Sequence, residues 1–122
     1  MILADTSVWI DHLRSNNSEL RRQLENGQIL MHPFVAAELA LGSLLNRGKT
    51  LAFFDLLPQA RMAQLSEVRQ MIESRPLYSC GIGLIDAHLI ASVLITPYTV
   101  LWTRDKHLSD IAKALGVHAN LA

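Results

Sequence analysis

Four acidic side chains stand apart from the other charged residues of this chain. Asp5 directly follows the apolar residues at the amino terminus, and Asp105 follows a second short apolar run after two intervening residues. Glu38 and Asp86 each lie alone in stretches that are otherwise almost wholly apolar, with no Lys or Arg at helical spacing. An isolated carboxylate among aliphatic side chains is unfavourable unless a positive charge neutralises it. The pattern therefore indicates that a divalent metal ion supplies the missing charge.

Carboxylates of this kind suit the hydrolysis of a phosphodiester bond. Oxygen ligands bind Mg²⁺ or Mn²⁺, and such an ion activates a water and offsets charge on the scissile phosphate. Each acid also has a simpler interpretation, namely a turn residue for Asp5, a solvated helix position for Glu38, and a helix N-cap for Asp86 or Asp105. The combination of all four is more specific than any single member.

Short apolar segments alternate with helical segments along the chain. Strands are predicted at residues 1–4, 28–31, 99–102 and 117–119. Helices are predicted at residues 8–13, 19–25, 33–45, 49–57, 66–74 and 85–94, and from a cap at Asp105 to Leu115. Thr6 or Ser7 is expected to cap the first helix, and Ser18 the second. This alternation predicts a parallel sheet covered on both faces, with a ligand site beyond the carboxyl ends of the strands, where Asp5 and Asp105 lie.

The length of 122 residues predicts a single domain, over residues 1–122. The net charge is zero, which is not typical of a nucleic-acid-binding protein, although a basic patch beside an acidic pocket would leave the same sum. The single Cys80 excludes an internal disulfide and fits a reducing cytoplasm. Asp5 interrupts the amino-terminal apolar run, so no signal peptide is expected. The longest apolar stretch, residues 82–95, is too short to span a bilayer, and no membrane partner is predicted.

Other catalytic and metal-binding patterns fit the sequence less well. The five His residues include no close pair at metal-ligand spacing with Cys80, which disfavours zinc. His88 lies two residues after Asp86 and is interpreted as a core or supporting residue. No nucleophile elbow of a serine hydrolase occurs, and the segment around Gly81 and Gly83 lacks the spacing of a dinucleotide-binding loop.

The segments around the four acids resemble the PIN domain family, and within it the VapC toxins of bacterial toxin–antitoxin pairs. The segments that carry the resemblance are residues 5–11 (DTSVWID), the lone Glu38, residues 81–89 (GIGLIDAHL) and residues 101–105 (LWTRD). The resemblance spans essentially the whole chain, and the order and spacing of the segments fit. It implies a three-layer α/β/α sandwich with a mostly parallel sheet and a Mg²⁺- or Mn²⁺-dependent endoribonuclease. It also implies a homodimer and a VapB-like antitoxin whose carboxyl-terminal segment blocks the active site, with tRNA as the expected substrate.

The resemblance assigns the acidic quartet of the family to Asp5, Glu38, Asp86 and Asp105. Asp5 and Asp86 are then the primary metal ligands. Glu38 and Asp105 complete the site directly or through ordered water, and the fourth acid is the least uniform member in such proteins. A water activated by the metal is expected to attack phosphorus in line and to leave a 5′-phosphate on one product.

Hydroxyl and basic side chains are expected around these acids. The resemblance assigns the hydroxyl near the metal to Thr6 or Ser7, with Thr103 as a second candidate. Arg104 and Lys106 flank the pocket and are predicted to hold RNA phosphates, the alternative being a solvated helix start.

Two other functions remain as alternatives to a ribonuclease toxin. An acidic pocket followed by Thr103 and Lys106 is similar to a phospho-accepting receiver domain. Receivers, however, need paired acids after the first strand and a Lys at a strand end, whereas Lys106 falls at a helix start. A non-catalytic PIN-like interaction module is disfavoured because a docking domain has no need of uncompensated carboxylates.

Apolar residues on two helices exceed what the core requires. They are Trp9, Ile10, Leu13, Leu41, Leu44 and Leu45. The family resemblance predicts that this surface contacts the antitoxin and the second subunit, whereas the sequence alone favours ordinary core packing for any one of these residues.

Overall fold

Three short parallel strands form the sheet of the protein, in a computed structural model that describes all residues from 1 to 122. The central strand β1 (Ile2–Ala4) lies between β2 (Ile29–Leu30) and β3 (Val100–Trp102). In register, Leu3 is paired with residues of both neighbours, Leu30 and Leu101. The predicted parallel sheet is therefore confirmed.

Both faces of this sheet are covered. Successive residues of a strand point to opposite faces, and the consecutive residues Leu3 and Ala4 of β1 are both fully buried, as are Leu101 and Trp102 of β3. Parallel strands are stable in this arrangement because helices shield both faces from water. The protein is thus an α/β sandwich, as predicted.

Seven helices surround the sheet. They are α1 (Thr6–Ser15), α2 (Ser18–Glu25), α3 (Pro33–Ala40), α4 (Arg47–Leu56), α5 (Leu65–Ser74), α6 (Leu84–Ile95) and α7 (Lys106–Ala114). Apart from the last predicted strand, at residues 117–119, the order of strands and helices is the predicted one. No helix combines the length and the apolar character that crossing a membrane requires, and the longest, α6, has 12 residues.

The third helix is shorter than predicted. It ends at Ala40 rather than at residue 45. Arg47 donates hydrogen bonds from its guanidinium to the carbonyl oxygens of Ala40 (2.6 Å) and Gly42 (3.2 Å), which satisfies carbonyl groups freed at the end of the helix. Gly42 also disfavours helix. The apolar run therefore continues as an exposed turn, in which Leu41 is 89% exposed.

The predicted caps of the first two helices are wrong by one or two positions. Asp5 caps α1, because its side chain accepts a hydrogen bond from the Val8 N–H and its backbone is still extended. Asn17 caps α2 by accepting a hydrogen bond from the Leu20 N–H. The N-cap is the last residue with extended backbone before the helix, and tertiary structure sets where that extension ends. The predicted cap of the last helix, Asp105, is confirmed.

The strand predicted at residues 117–119 is reduced to one bridge. Leu101 donates its N–H to the Val117 carbonyl at 2.7 Å and accepts the Ala119 N–H at 2.9 Å. Asn120 follows with a positive φ of 58°, and its backbone N–H bonds the ring of His118. This local turn ends the pairing before a strand can extend.

Candidate metal centre

The junction between β1 and α1 buries Asp5 in a set of hydrogen bonds. Asp5 is 5% exposed. Its Oδ1 accepts hydrogen bonds from the Ser7 hydroxyl (2.5 Å) and the Val8 N–H (3.3 Å), and its Oδ2 accepts one from the Thr103 hydroxyl (2.5 Å). Burial raises the pKa of the Asp5 carboxyl, and these hydrogen bonds act in the opposite direction. No cation pairs with this buried carboxylate in the structure.

The junction between β3 and α7 lies directly beside the first one. The Thr103 hydroxyl that donates to Asp5 also accepts the backbone N–H of Asp105 at 3.0 Å. The Ser7 hydroxyl accepts the backbone N–H of Arg104 at 2.9 Å. Two hydroxyl groups therefore join the two junctions, and they hold Asp5 from both sides.

Asp105 caps α7, as predicted, and it also lies near the other acids. Its Oδ1 accepts the Leu108 N–H at 2.9 Å, and its Oδ2 has no hydrogen bond to the protein. The residue is exposed. The simpler interpretation of Asp105 as an N-cap is therefore correct, but it occupies only one oxygen and leaves the other available for a ligand.

Glu38 is bound to the first helix through a hydroxyl group. The Thr6 Oγ1 donates a hydrogen bond of 2.6 Å to the Glu38 Oε1, across the contact between α1 and α3. Glu38 is half-buried and pairs with no Lys or Arg. The interpretation of Glu38 as a freely solvated helix position does not hold, because a specific partner orients its carboxylate.

Asp86 is the third residue of α6, and its pKa reports the proximity of the other acids. Burial is the main reason that the pKa of its carboxyl is raised, and a hydrogen bond from the Gly83 backbone opposes that shift. The negative charges of Asp5, Asp105 and Glu38 raise the pKa further. The other three acids predicted from sequence thus lie within electrostatic range of Asp86. The N-cap of α6 is Gly83, so the cap interpretation of Asp86 is wrong.

The four acids do not form a closed metal cage. No three His, Cys, Asp or Glu side chains are arranged closely enough to make a ready-made metal site. The donors near Asp86 are nevertheless all oxygens, and no cation neutralises them. Oxygen donors of this kind fit a hard divalent ion such as Mg²⁺ or Mn²⁺, and they do not fit zinc in a structural site.

The two basic residues predicted to hold RNA already have acidic partners. Arg104 places its guanidinium 3.2 Å from the carboxylate of Asp11, and Lys106 places its ammonium 3.4 Å from that of Asp110. Both basic residues are exposed at the start of α7. Pairs of this type contribute little stability, so either cation can exchange its partner for a phosphate.

Two buried histidines lie near the site, and one of them, His32, was not assigned a role from sequence. His32 caps α3, with its Nδ1 accepting the Phe34 N–H at 3.0 Å, and burial is the main cause that lowers its pKa to about 4, with a further contribution from His88. His88 is 4% exposed and packs edge-on against Phe34. The interpretation of His88 as a core or supporting residue is compatible with this position. A His before Pro33 at a helix start was the available signal for His32.

An apolar groove opens beside Glu38. It has a volume of about 250 Å³, and its apolar lining residues are Ile10, Leu13, Leu39, Leu44 and Leu45. Arg14 and Glu38 supply charged groups to the same groove. Of the apolar residues predicted for partner contact, Leu41 and Leu45 are almost fully exposed, whereas Trp9 is buried in the core.

Comparison with known proteins relates this architecture to one family. The sequence model of the PIN domain matches residues 2–114. The chain is 40% identical, over 117 residues, to Ribonuclease VapC32 of Mycobacterium tuberculosis, from strain CDC 1551 / Oshkosh and from strain ATCC 25618 / H37Rv. The match covers 96% of this chain and 94% of the relative. The chain therefore belongs to the PIN domain family, and within it to the VapC type.

Proposed function

We propose that the protein is a metal-dependent endoribonuclease that acts as the toxin of a toxin–antitoxin pair. The observation that carries the proposal is the electrostatic environment of Asp86, on which three other carboxylates act while no Lys or Arg pairs with any of the four. Four uncompensated carboxylates in one region favour a bound divalent cation. The similarity to a protein named as a ribonuclease supports RNA as the substrate.

The proposed ligands of Mg²⁺ or Mn²⁺ are Asp5 and Asp86, with Glu38 and Asp105 completing the site directly or through water. When bound, such an ion lowers the pKa of a water and offsets negative charge on the scissile phosphate. The chain's own contribution is to orient these carboxylates. Ser7 and Thr103 orient Asp5, and Thr6 orients Glu38.

The proposed contacts to the RNA backbone come from Arg104 and Lys106. Each cation is exposed and paired only with a surface acid, Asp11 or Asp110. An RNA phosphate offers a charge-assisted hydrogen bond in place of that pair. Their place next to Asp105 lets them hold the strand at the edge of the acidic site while its scissile phosphate enters.

Two features weigh against the alternative functions. In a receiver domain the Lys must reach the phospho-accepting Asp, whereas Lys106 pairs with Asp110 on α7 and the oxygens of Asp5 accept hydroxyl groups. A non-catalytic module would gain stability by losing its charges, because a buried carboxylate without a partner is unfavourable. The retention of Asp5 therefore favours a catalytic role.

The partner proposed for the groove beside Glu38 is the carboxyl-terminal segment of a VapB-like antitoxin. Its apolar lining suits apolar side chains of such a segment, and its position lets the bound segment cover Glu38. The exposed Leu41 and Leu45 extend the same apolar surface. A homodimer is also proposed, with other exposed apolar residues such as Leu56 and Leu65 available for contact with a second subunit.

The proposed RNA is tRNA, and its cleavage would inhibit translation. Because tRNA and translation are cytoplasmic, we propose that the protein acts in the cytoplasm. The purified protein, freed of antitoxin, would be incubated with cellular RNA and Mn²⁺, and the new 5′ ends would be mapped. Discrete cuts that carry a 5′-phosphate and disappear with EDTA would support the proposal. Cuts that are independent of metal would contradict it.

Metal binding separates the enzyme from a scaffold. Isothermal titration with Mn²⁺ should give a saturable signal for the parent protein and none for Asp86→Asn, which keeps the shape of the side chain. Lys113→Ala, at the far end of α7, serves as the control and should bind Mn²⁺ like the parent. A parent protein that binds no Mn²⁺ would contradict the proposed enzyme and support the interaction module.

A further inference from the structure

His32 and His88 each bury a ring nitrogen that has no hydrogen-bond partner. The two atoms are the Nε2 of His32 and the Nδ1 of His88. His32 is fully buried, and His88 is 4% exposed. A buried polar atom without a partner is destabilising, and such atoms are rare in folded proteins. Two of them in rings that both pack against Phe34 therefore call for a common explanation.

The hydrogen bonds fix what each nitrogen can do. The Phe34 N–H is always a donor, so the His32 Nδ1 that accepts it carries a lone pair and no proton. In the neutral ring the proton then lies on Nε2, and this orphaned atom is a donor. The orphaned Nδ1 of His88 can be an acceptor if its own proton lies on Nε2. One donor and one acceptor in two buried rings that both pack against Phe34 are complementary.

The two rings lie between the helices that carry two of the proposed ligands. His32 is the cap of α3, and Phe34 in its first turn contacts both rings, with centroid distances of 5.4 Å to His32 and 4.7 Å to His88. Residues four apart on a helix share a face. Phe34, which packs on His88, therefore lies on the same face of α3 as Glu38. On α6, His88 lies two residues from Asp86.

We propose that His32 and His88 are positioning residues of the acidic site. In this proposal one buried water joins the Nε2–H of His32 to the Nδ1 of His88, and the link holds the helix of Glu38 in register with the helix of Asp86. A buried water with polar partners on both sides is part of many protein interiors. The proposal rests on the proposed function, because the two carboxylates that it positions are the proposed metal ligands.

Substitutions at His88 test whether its nitrogen matters beyond packing. His88→Asn keeps an acceptor near the position of Nδ1, and His88→Leu removes it. Ser92→Ala is the matched control, because Ser92 is also buried on α6 and donates its hydrogen bond to the Arg61 carbonyl rather than to any of the four acids or to either histidine. All three variants would be compared for melting temperature, for Mn²⁺ affinity by titration, and for kcat and KM on RNA.

The expected result separates positioning from stability. His88→Leu should weaken Mn²⁺ binding by roughly tenfold or more and lower kcat without raising KM for RNA, and His88→Asn should recover most of the affinity. Ser92→Ala should melt at a lower temperature but bind Mn²⁺ like the parent. If His88→Leu also binds Mn²⁺ like the parent, His88 has only a packing role and the proposal is overturned.

The unsubstituted protein offers a second test that needs no metal. Two-bond ¹H–¹⁵N spectra of ¹⁵N-labelled protein report which ring nitrogen carries the proton. Both histidines are expected as the Nε2–H tautomer, with the Nδ1 shift of His88 typical of a hydrogen-bonded acceptor. A proton on the Nδ1 of His88 would overturn the pairing. A parent protein that shows the expected tautomers but neither binds Mn²⁺ nor cleaves RNA would overturn the proposed function instead.

Discussion

Two of the three strand-to-helix junctions of this protein use the same residue type, aspartate, in different surroundings. At the end of β1, Asp5 caps α1, and at the end of β3, Asp105 caps α7. Asp5 is 5% exposed and both its oxygens accept hydrogen bonds, whereas Asp105 is exposed and uses only one. β1 is the central strand and β3 is at an edge of the sheet. A carboxylate beyond a central strand is desolvated by its neighbours, and one beyond an edge strand remains in water.

This difference predicts unequal roles in metal binding. The pKa of Asp5 is raised by burial, so its charged form is poorly tolerated until a cation arrives. Desolvation also strengthens the attraction between that carboxylate and a bound cation. Asp105 is solvated, so water competes with a metal ion for its carboxylate. Its contribution to the metal affinity is therefore smaller. We therefore expect Asp5, beyond the central strand, to contribute most of the metal affinity. Asp105, beyond the edge strand, should contribute less.

The largest expected effect is that of Asp5→Asn. Asn also caps helices well, so the fold should persist while the charge is lost. Loss of a primary ligand should lower RNA cleavage by about 1000-fold or more, which corresponds to several kcal/mol of transition-state stabilisation. Cleavage rates in Mn²⁺ and circular dichroism of the variant would check both statements. A variant that cuts RNA like the parent would refute the metal assignment.

The matching change at the edge junction should have a smaller effect. Asp105→Asn should lower cleavage by roughly tenfold, since outer ligands of a metal site contribute 10–100-fold. Asp105→Ala should in addition lower the free energy of unfolding by about 1 kcal/mol, because the cap of α7 is lost. Cleavage assays and urea unfolding of both variants separate the two losses. Equal loss of cleavage in Asp5→Asn and Asp105→Asn would remove the distinction between the junctions.

The pH dependence of stability should reveal the burial of Asp5. A carboxyl whose pKa is higher in the folded state than its ordinary value of 3.8 binds more protons when folded. Its contribution to stability therefore falls as pH rises from near that value through the raised pKa. Asp5→Asn does not titrate, so in EDTA its melting temperature relative to the parent should increase over that range. In saturating Mn²⁺ the parent should instead melt at a higher temperature than the variant, because metal binding favours the deprotonated carboxylate.

The smallest expected effects concern the basic residues of the edge junction. Lys106→Ala and Arg104→Ala should raise KM for RNA by a few-fold, consistent with about 0.5–1 kcal/mol for an exposed charge contact, and should leave kcat unchanged. Raising the salt concentration should reduce the difference from the parent. Steady-state kinetics at two ionic strengths would measure both effects. A loss of kcat without a change in KM would assign these residues to the chemical step.

Local sequence patterns predicted the elements well but not all of their ends. Three of the four predicted strands formed, and Asp105 capped the last helix as predicted. The third helix ended early at Ala40, because Arg47 from the next helix supplied hydrogen bonds that no periodicity within residues 33–45 reveals. The cap of α1 fell on Asp5, because the end of the central strand set the last extended residue.

The sequence by itself determined the order of strands and helices, the isolation of the four acids among apolar neighbours, and their resemblance to the PIN domain family. These features depend on residues close together along the chain. Only the tertiary structure decided which oxygens are held and by what. Thr103 and Asp5 are 98 positions apart, and they meet because β1 and β3 pair in parallel and end at the same edge of the sheet. The partners of Glu38, Arg104 and the buried histidines depend in the same way on packing between distant segments, which local periodicity does not encode.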